Sequence, residues 1–285
     1  MDIEVNTGGA LRSVLISVIR VAAFAYVGLI ILMAGCQRNL IYYPRTGDAE
    51  QLRALATRTA FESWSGDGVE QHGWRSTLPD GEAEANVLVF HGNAGWALDR
   101  LHYRDALMQV SGDRWRVHVL EYPGFGARPG RPSETAFFDA AEPAVRDLLA
   151  EEKPLYLIGE SLGSGVASEM AARHPDGVAG LILITPFTSL ADVAARHYPF
   201  LPVRLMLRDR FDNETALTRF EGPVAVLVAE RDRVVPAVLG KALYEGYQGP
   251  RKLWVQEGRD HNTLDLSPDH PWWRELVDFL ESNQP

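Results

Sequence analysis

The chain has 285 residues, enough for one large α/β domain or two small ones. Hydrophobic residues make up 46% of it and charged residues 23%, which is ordinary for a globular protein with a sizeable core. The formal net charge is -10 at pH 7 and the basic residues are dispersed, so we expect no nucleic-acid-binding surface. The single cysteine excludes an internal disulfide framework, and no Cys or His pair has metal-ligand spacing.

An apolar segment lies near the amino terminus. Val21 to Cys36 carries no charge, and Leu11 to Cys36 contains only Arg12 and Arg20. The uncharged part would span about 24 Å as a helix, but the preceding turns extend it towards the ~30 Å hydrocarbon thickness if Arg20 reaches the headgroups. We therefore predict that residues 1–36 form a single-pass membrane anchor, and we expect the protein in a bacterial cell envelope.

The same segment has two other interpretations. Its basic residues and apolar core lead into Met33-Ala34-Gly35-Cys36, which resembles a bacterial lipoprotein signal with a lipidated cysteine. Methionine three residues before the cysteine is unusual there, so the spanning anchor is preferred to lipid attachment at Cys36. A buried core helix is the third interpretation. Arginines on both sides of the segment are balanced, so the positive-inside rule gives no orientation.

The chain after the apolar segment begins with signals for an antiparallel sheet edge. Gln37 to Pro44 is predicted to be extended, and Thr46 to Arg58 is predicted to be a short helix. Phe61 to Trp64 and Val69 to Ser76 alternate apolar with polar residues around Gly66-Asp67-Gly68, which indicates a hairpin. We expect this hairpin at the edge of a larger sheet.

Strand and helix signals then alternate without a break in composition. Apolar strand runs are predicted at Asn86–Phe90, Trp115–Glu121, the run after Pro154, Val178–Ile184, Pro223–Ala229 and Arg251–Gln256. Helices are predicted at Leu98–Val110, Ser133–Ala150 with a kink or break at Pro143, the stretch after Gly163, Ala237–Tyr247 and Pro271–Ser282. This alternation predicts an α/β domain over residues 37–285, with a mostly parallel sheet flanked by helices.

The pattern loosens from Pro186 to Phe220, where aromatic residues, prolines and arginines interleave without a clear period. An excursion of this length between two strands is typical of a lid or substrate-pocket insertion. We therefore predict a small lid at about residues 186–220.

A nucleophile motif follows the central strand. Gly159-Glu160-Ser161-Leu162-Gly163 lies between an apolar run and a helical stretch of small residues. A nucleophilic serine must be held in a strained turn, so the positions two before and two after it need to be nearly free of side chain. Gly159 and Gly163 meet that demand. Ser161 is the predicted nucleophile, and a glycine-rich turn with a bystander serine is the alternative.

Two later loops carry residue types that activate a serine. A serine hydroxyl needs a base to take its proton, and the base needs a third group to fix its tautomer. Asp232 follows the Pro223–Ala229 strand and His261 follows the Arg251–Gln256 strand. Loops at the carboxyl edge of a parallel sheet can converge, so both can reach Ser161, and the order Ser, Asp, His is typical of hydrolases.

Each candidate also has a structural interpretation. Asp232 could pair with Arg231 or Arg233, with Glu230 as the rival acid, and His261 could be a surface histidine. Two further expectations concern packing. Glu160 is expected to be an ion-pair partner, while Tyr122 and Phe125 are expected to pack in the core rather than line an acyl pocket.

Several motifs follow one another in a fixed order: Gln37-Arg38-Asn39-Leu40-Ile41-Tyr42-Tyr43-Pro44, Phe90-His91-Gly92-Asn93-Ala94-Gly95, Glu121-Tyr122-Pro123-Gly124-Phe125-Gly126, the Ser161 pentapeptide, Thr185-Pro186-Phe187-Thr188-Ser189-Leu190, Asp232-Arg233-Val234-Val235-Pro236 and Asp260-His261-Asn262. Together they resemble the α/β-hydrolase superfamily, specifically the branch described as bem46-like or as α/β-hydrolase domain-containing membrane proteins.

The resemblance implies an α/β-hydrolase fold with Ser161, Asp232 and His261 as a catalytic triad. It also implies an oxyanion hole formed by the backbone amides of Asn93 and Leu162. The departures from the family pattern are Ala229 in place of a glycine, and Arg259-Asp260 in place of small residues before the histidine. These departures concern the shape of the loops.

The resulting functional hypothesis is acyl transfer from an ester or thioester to water through an acyl-enzyme, without cofactor or metal. The expected substrate is a small or lipid-like acyl compound, because an anchor and an apolar lid suit an amphiphile. One alternative is a serine aminopeptidase, for which Asp192, Asp209 and Asp212 are candidate carboxylates. A second is a non-catalytic, membrane-anchored scaffold.

Overall fold

The computed structural model describes residues 7–66, 69–77 and 83–284. Single-turn 3-10 helices occur at Ala97–Arg100 and Gly112–Arg114. The other elements in chain order are α1 (Thr7–Ile41), β1 (Tyr43–Pro44), α2 (Ala49–Arg58), β2 (Phe61–Gly66), β3 (Val69–Ser76), β4 (Ala85–Phe90), β5 (Ala94–Gly95), α3 (His102–Ser111), β6 (Trp115–Leu120), α4 (Glu134–Leu149), β7 (Leu155–Glu160), α5 (Gly163–Arg173), β8 (Val178–Ile184), α6 (Leu190–His197), α7 (Val203–Met206), α8 (Asn213–Leu217), β9 (Val224–Ala229), α9 (Ala237–Gly246), β10 (Arg251–Gln256) and α10 (Trp272–Ser282).

An eight-stranded sheet forms the centre, in the order β2-β3-β6-β4-β7-β8-β9-β10. Strand β3 is antiparallel to both neighbours, and all other pairs are parallel. This confirms the predicted α/β fold with a mostly parallel sheet and an antiparallel edge. The predicted hairpin pairs as expected, although Asp67 and Gly68 of its turn lie outside the described residues.

Helices cover both faces of the sheet because its central strands are mainly apolar. Every residue of β4 and β9 is buried, as expected for parallel strands between two helical layers. Helices α4, α5 and α9 contribute to the core on one face, for example through Phe137, Met170 and Leu243. Helices α2, α3 and α10 contribute to the other, for example through Leu52, Leu107 and Trp273.

Helix α1 is longer than the sequence indicated. The extended conformation predicted from Gln37 onward is wrong up to Ile41, because the helix continues to that residue. Gln37 is only 7% exposed, and its carboxamide contacts Met206, the last residue of α7, and Arg208 beyond it. These contacts with the domain stabilise the last turns as helix. The stretch Arg12–Ile41 is long and apolar enough to cross a membrane, by length and composition.

Two other local predictions have mixed outcomes. Ser133 caps α4 as predicted, since its Oγ accepts a hydrogen bond from the backbone N–H of Ala136 at 3.1 Å. Pro143 does not break α4, which runs from Glu134 to Leu149 with the proline inside it. Its apolar face is buried along this whole length, and that packing opposes the loss of one backbone hydrogen bond at the proline.

The 186–220 segment connects β8 to β9 and contains α6, α7 and α8. It lies over the carboxyl end of the sheet and lines a cavity there together with the last turns of α1. The division of the chain at residues 36 and 37, and the lid role of the 186–220 segment, stay predictions.

Candidate active site

Ser161 lies in the tight turn between β7 and α5. Its backbone φ is 51°, in the left-handed region that is strained for a residue with a side chain. A Cβ at Gly159 would lie 2.5 Å from Cα of Ser164, and one at Gly163 would lie 2.0 Å from the carbonyl oxygen of Phe90. Both glycines are therefore required by close backbone approach, as the sequence pattern indicated.

The structure brings Ser161, His261 and Asp232 together although they come from three separate loops. His261 Nε2 lies 3.1 Å from Ser161 Oγ, and His261 Nδ1 lies 2.7 Å from Asp232 Oδ2. The other oxygen of Asp232 accepts hydrogen bonds from the backbone N–H groups of Val234 and Val235 at 2.9 and 2.7 Å. The carboxylate is thus oriented by its own loop, and it can fix the tautomer of the imidazole.

Arg231 and Arg233, on either side of Asp232, form their ion pairs with other carboxylates. Its side chain is only 1% exposed, and the side chain of His261 is 12% exposed. Arg233 instead binds Asp260 through its guanidinium, with Nε 2.6 Å from Oδ2. The alternative interpretation of Asp232 as an ion-pair partner of Arg231 or Arg233 is therefore wrong, because Arg233 pairs with Asp260 and Arg231 with Glu230.

Asp260 is a positioning residue that sequence reasoning overlooked. Its Oδ1 accepts hydrogen bonds from the backbone N–H groups of Arg233 at 3.0 Å and His261 at 2.8 Å, so it joins the two loops that carry Asp232 and His261. These backbone hydrogen bonds, with the Arg233 guanidinium, lower the pKa of Asp260 to about 2. The sequence signal for this role is the position of Asp260 directly before His261, where the family pattern has small residues.

Glu160, next to the candidate nucleophile, is a structural ion-pair partner as expected. Arg100 holds it with two hydrogen bonds, Nε to Oε2 at 3.0 Å and Nη2 to Oε1 at 2.8 Å, and the Tyr103 hydroxyl donates to Oε2 at 2.9 Å. Burial opposes ionisation of this carboxyl, but the Arg100 guanidinium and the donated hydrogen bonds outweigh it and lower the pKa. Glu160 is therefore a poor proton donor.

Asn93 and Leu162 line the same cavity as Ser161. Within the part of the chain that the structure describes, neither backbone N–H donates to a protein acceptor. Both amides are therefore available to an anionic oxygen next to the serine. The loop of Asn93 is held from the other side, because its Nδ2 donates to the carbonyl oxygen of Ile41 at 2.6 Å and its own carbonyl accepts from Tyr43 N at 2.8 Å.

The cavity beside Ser161 has a volume of about 230 Å³. Its lining includes side chains from the 186–220 segment, among them Phe187, Val193 and Tyr198, and residues of the last turns of α1. Tyr122 and Phe125 are not part of its lining. They are fully buried, and Tyr122 stacks on Phe137 with 3.9 Å between ring centroids, so they pack in the core as expected.

Three acidic residues of the 186–220 segment, Asp192, Asp209 and Asp212, are engaged with other groups of the protein. Asp209 binds Arg38, Asp192 binds Arg204 at 2.5 Å, and Asp212 caps α8 by accepting from Thr215 N at 3.0 Å. None of the three lines the cavity. The carboxylates considered for binding a substrate amino terminus therefore have structural partners.

Comparisons with known proteins agree with this fold. A family model for the alpha/beta hydrolase fold matches residues 85–217. The uncharacterised protein Rv2307c of Mycobacterium tuberculosis is 33% identical over 255 residues, which cover 87% of this chain and 89% of that protein. The lysophosphatidylserine lipase ABHD12 of Danio rerio is 33% identical over 230 residues, which cover 70% of this chain and 59% of that protein.

Solved structures with the same fold include enzymes that act on esters and lipids. The Pyrococcus furiosus esterase Pf2001 has a TM-score of 0.61 at 16% identity, over 86% of this chain and 98% of that chain. The monoacylglycerol lipase of Paleococcus ferrophilus has a TM-score of 0.54 at 20% identity, over 73% and 98%. With the match of the mycobacterial relative along most of both chains, these findings identify the family: the chain belongs to the α/β-hydrolase superfamily.

Proposed function

We propose that the protein is a serine hydrolase that cleaves ester or thioester bonds of acyl substrates through an acyl-enzyme. The observation that carries this proposal is the hydrogen-bonded series from Ser161 through His261 to Asp232, with Ser161 lining an apolar cavity. Membership of the α/β-hydrolase superfamily supports hydrolysis as the reaction class. The serine nucleophile is the specific part of the proposal.

The geometry fits a two-step reaction. His261 Nε2 takes the proton from Ser161 Oγ as the oxygen attacks the acyl carbonyl, and the backbone amides of Asn93 and Leu162 stabilise the oxyanion. The C–O or C–S bond of the leaving group then breaks, and that group takes the proton from His261. Water attacks the acyl-serine in the same way, with His261 as base, and releases the acid. Asp232 orients the imidazole and stabilises its positive charge.

The test replaces the nucleophile and keeps the fold. Ser161→Ala should lower kcat/KM for nitrophenyl esters by at least about 10⁴-fold and abolish covalent labelling by a fluorophosphonate probe. Ser168→Ala is the matched control, because Ser168 is also a buried serine but lies on α5 and does not line the cavity. Turnover or labelling that survives in Ser161→Ala would remove this serine as nucleophile. An unlabelled wild-type protein would favour the non-catalytic scaffold.

We further propose an amphiphilic, lipid-like acyl substrate. The cavity is lined mainly by apolar side chains, among them Leu162, Phe187 and Leu190. Two relatives carry names that point the same way, a lysophosphatidylserine lipase and, at the level of fold, a monoacylglycerol lipase. A panel of esters, thioesters and aminoacyl amides separates this substrate class from peptides, and the engaged carboxylates of the 186–220 segment weigh against an aminopeptidase.

Helix α1 is proposed to anchor the protein in a membrane. Its apolar residues are exposed along the helix, for example Phe24 at 78% and Ile31 at 67%. The 186–220 segment also exposes Phe200 at 87% and Leu205 at 86%, and the Tyr26 hydroxyl of α1 donates to the carbonyl oxygen of Phe200 at 2.7 Å. Such exposed apolar surface is typical of contact with lipid.

The anchor and the lipoprotein interpretation give different results in one experiment. If α1 spans the membrane, the mature protein should keep its amino terminus and should resist extraction with alkaline carbonate. Cys36→Ser should then leave membrane association and molecular mass unchanged. If the protein is a lipoprotein, the mass of the mature chain should fall and Cys36→Ser should block that processing.

A further inference from the structure

The last three turns of α1 form part of the cavity beside Ser161. Met33, Ala34, Gln37, Leu40 and Ile41 all line it, together with side chains of the 186–220 segment. Their spacing puts them on one face of the helix. The other face of the same turns points away from the domain, where Leu32 is 61% exposed. A membrane anchor alone would not need such a wall.

An ion pair fixes this part of α1 to the 186–220 segment. The Arg38 guanidinium binds Asp209 with two hydrogen bonds, at 3.0 and 3.1 Å, and the Tyr42 hydroxyl donates to the same carboxylate at 2.9 Å. The Asp209 side chain is only 4% exposed. A bidentate guanidinium–carboxylate contact with a buried acceptor restricts the relative position of the two elements.

Gln37 makes a second connection between α1 and the 186–220 segment, about one turn before the helix ends at Ile41. Its Oε1 accepts from the backbone N–H of Arg208 at 2.7 Å, and its Nε2 donates to the carbonyl oxygens of Ala34 at 2.8 Å and Met206 at 3.3 Å. A buried carboxamide with three partners is costly to displace. The wall that α1 presents to the cavity is therefore held in one position.

The end of α1 also contacts the loop that carries a proposed oxyanion donor. The carboxamide of Asn93 donates to the carbonyl oxygen of Ile41, which is the last residue of the helix. The next residues, Tyr43 and Pro44, pair as a short parallel strand with Ala94 and Gly95. One end of the helix thus borders both the acyl-binding space and the Asn93 loop.

We propose that residues 33–41 of α1 are a substrate-selecting wall of the active site, which contacts the alkyl chain of the acyl group. The inference rests on the proposed function, since it assigns a ligand to the cavity beside Ser161. Each methylene withdrawn from water strengthens binding about fourfold, so a wall that touches several methylenes sets the preference for acyl length. The helix that anchors the protein then also selects its substrate.

The experiment reduces the space next to the wall. Ala34→Trp places a large side chain on the cavity face, and Leu32→Trp places the same side chain on the exposed face two residues away. Both are made in the full-length protein and tested on nitrophenyl esters from acetate to laurate in the same detergent. We expect Ala34→Trp to lower the ratio of kcat/KM for laurate over acetate at least tenfold, and Leu32→Trp to leave that ratio within twofold of wild type.

A substitution with a smaller side chain, Ala34→Leu, tests the same inference if Ala34→Trp does not fold. Ala34→Leu should change the ratio in the same direction by a smaller factor, with most of the loss in KM for the long ester. An unchanged ratio in a folded Ala34 variant, or an equal change in Leu32→Trp, would overturn the inference. Neither result would affect the proposed function, which stands or falls with fluorophosphonate labelling of wild type and its absence in Ser161→Ala.

Discussion

The two sides of the Ser161 cavity are built in different ways. On the catalytic side, Ser161, Asp232 and His261 lie in loops directly after β7, β9 and β10, and backbone hydrogen bonds fix the acid and the turn. On the opposite side, α1 and the 186–220 segment meet through a few side chains, mainly Arg38 with Asp209. The geometry of the proposed triad therefore depends on the sheet, whereas the proposed substrate-facing wall depends on side-chain contacts between α1 and the 186–220 segment.

The largest effect is expected on the catalytic side. His261→Ala removes the base, and we expect kcat to fall by at least about 10⁴-fold without a large change in thermal stability. Asp232→Asn should cause a comparable fall, because the amide no longer fixes the imidazole tautomer. Activity and circular dichroism are measured in parallel, with His174→Ala as a control on a half-buried histidine that binds Glu142. A residual activity above a tenth of wild type would contradict the proposed base.

The next largest effect is expected on stability, from two substitutions that compare the packing around the Ser161 turn with the packing around α1. Gly163→Ala forces a Cβ to within 2.0 Å of a backbone oxygen, and we expect a loss of about 4 kcal/mol or more in the free energy of unfolding. Gly35→Ala in α1 has nothing within 4 Å of its Cβ, so it should be neutral or slightly stabilising. Unfolding is measured in one detergent for both variants. Equal losses would mean that the two regions are packed alike.

The sequence predicts the catalytic side better than the substrate side. The strands are apolar runs, and the site follows from where their loops emerge, so Ser161, Asp232 and His261 could be named before the structure. Their convergence needs only the rule that parallel strands end at one sheet edge. Local pattern and topology are sufficient there.

The opposite wall depends on contacts that are remote in the chain. Arg38 and Asp209 are separated by 171 positions, and nothing near Arg38 in the sequence indicates a partner. The extended conformation predicted from Gln37 onward is wrong up to Ile41 for the same reason, since the end of α1 is stabilised by the 186–220 segment. The position of Asp260 between two loops likewise depends on how β9 and β10 pair.

A pH effect is expected from Glu121, which lies at the end of β6 on the sheet side. Burial raises the pKa of Glu121 to about 7, although the backbone N–H of Ala97 donates to it at 3.0 Å. A raised carboxyl pKa contributes stability that is fully present below about pH 4.5, the unfolded value, and is lost as the pH rises through 7. The slope is at most about 1.4 kcal/mol per pH unit in that interval.

Glu121→Gln isolates this contribution. The amide keeps an acceptor for Ala97 N but cannot ionise, so the stability of the variant should depend less on pH than that of wild type between pH 5 and 8. Denaturation midpoints of both proteins are compared across this interval. Parallel pH profiles would mean that another group dominates, and the charged or titratable neighbours to examine are His91, Asp99 and Arg128.

The smallest effect is expected at the connection between α1 and the 186–220 segment, and a double-mutant cycle measures it. In Arg38→Met, the nearly buried carboxylate of Asp209 keeps only Tyr42 as a side-chain donor among the described residues. This variant should therefore be less stable than the double variant that combines Arg38→Met with Asp209→Asn. Arg38 is 48% exposed, so solvent screening limits the expected coupling to about 1 kcal/mol.

A surface pair provides the reference for that cycle. Arg114 and Glu281 lie 3.1 Å apart but are both well exposed, and their coupling should be close to zero. If the Arg38 cycle gives the same value as this reference, the contact does not hold α1 in place. If the coupling is present, the variants that lose it should also hydrolyse long acyl esters a few-fold more slowly relative to short ones. The α1 wall is then less fixed, whereas Ser161, His261 and Asp232 keep the positions that the backbone gives them.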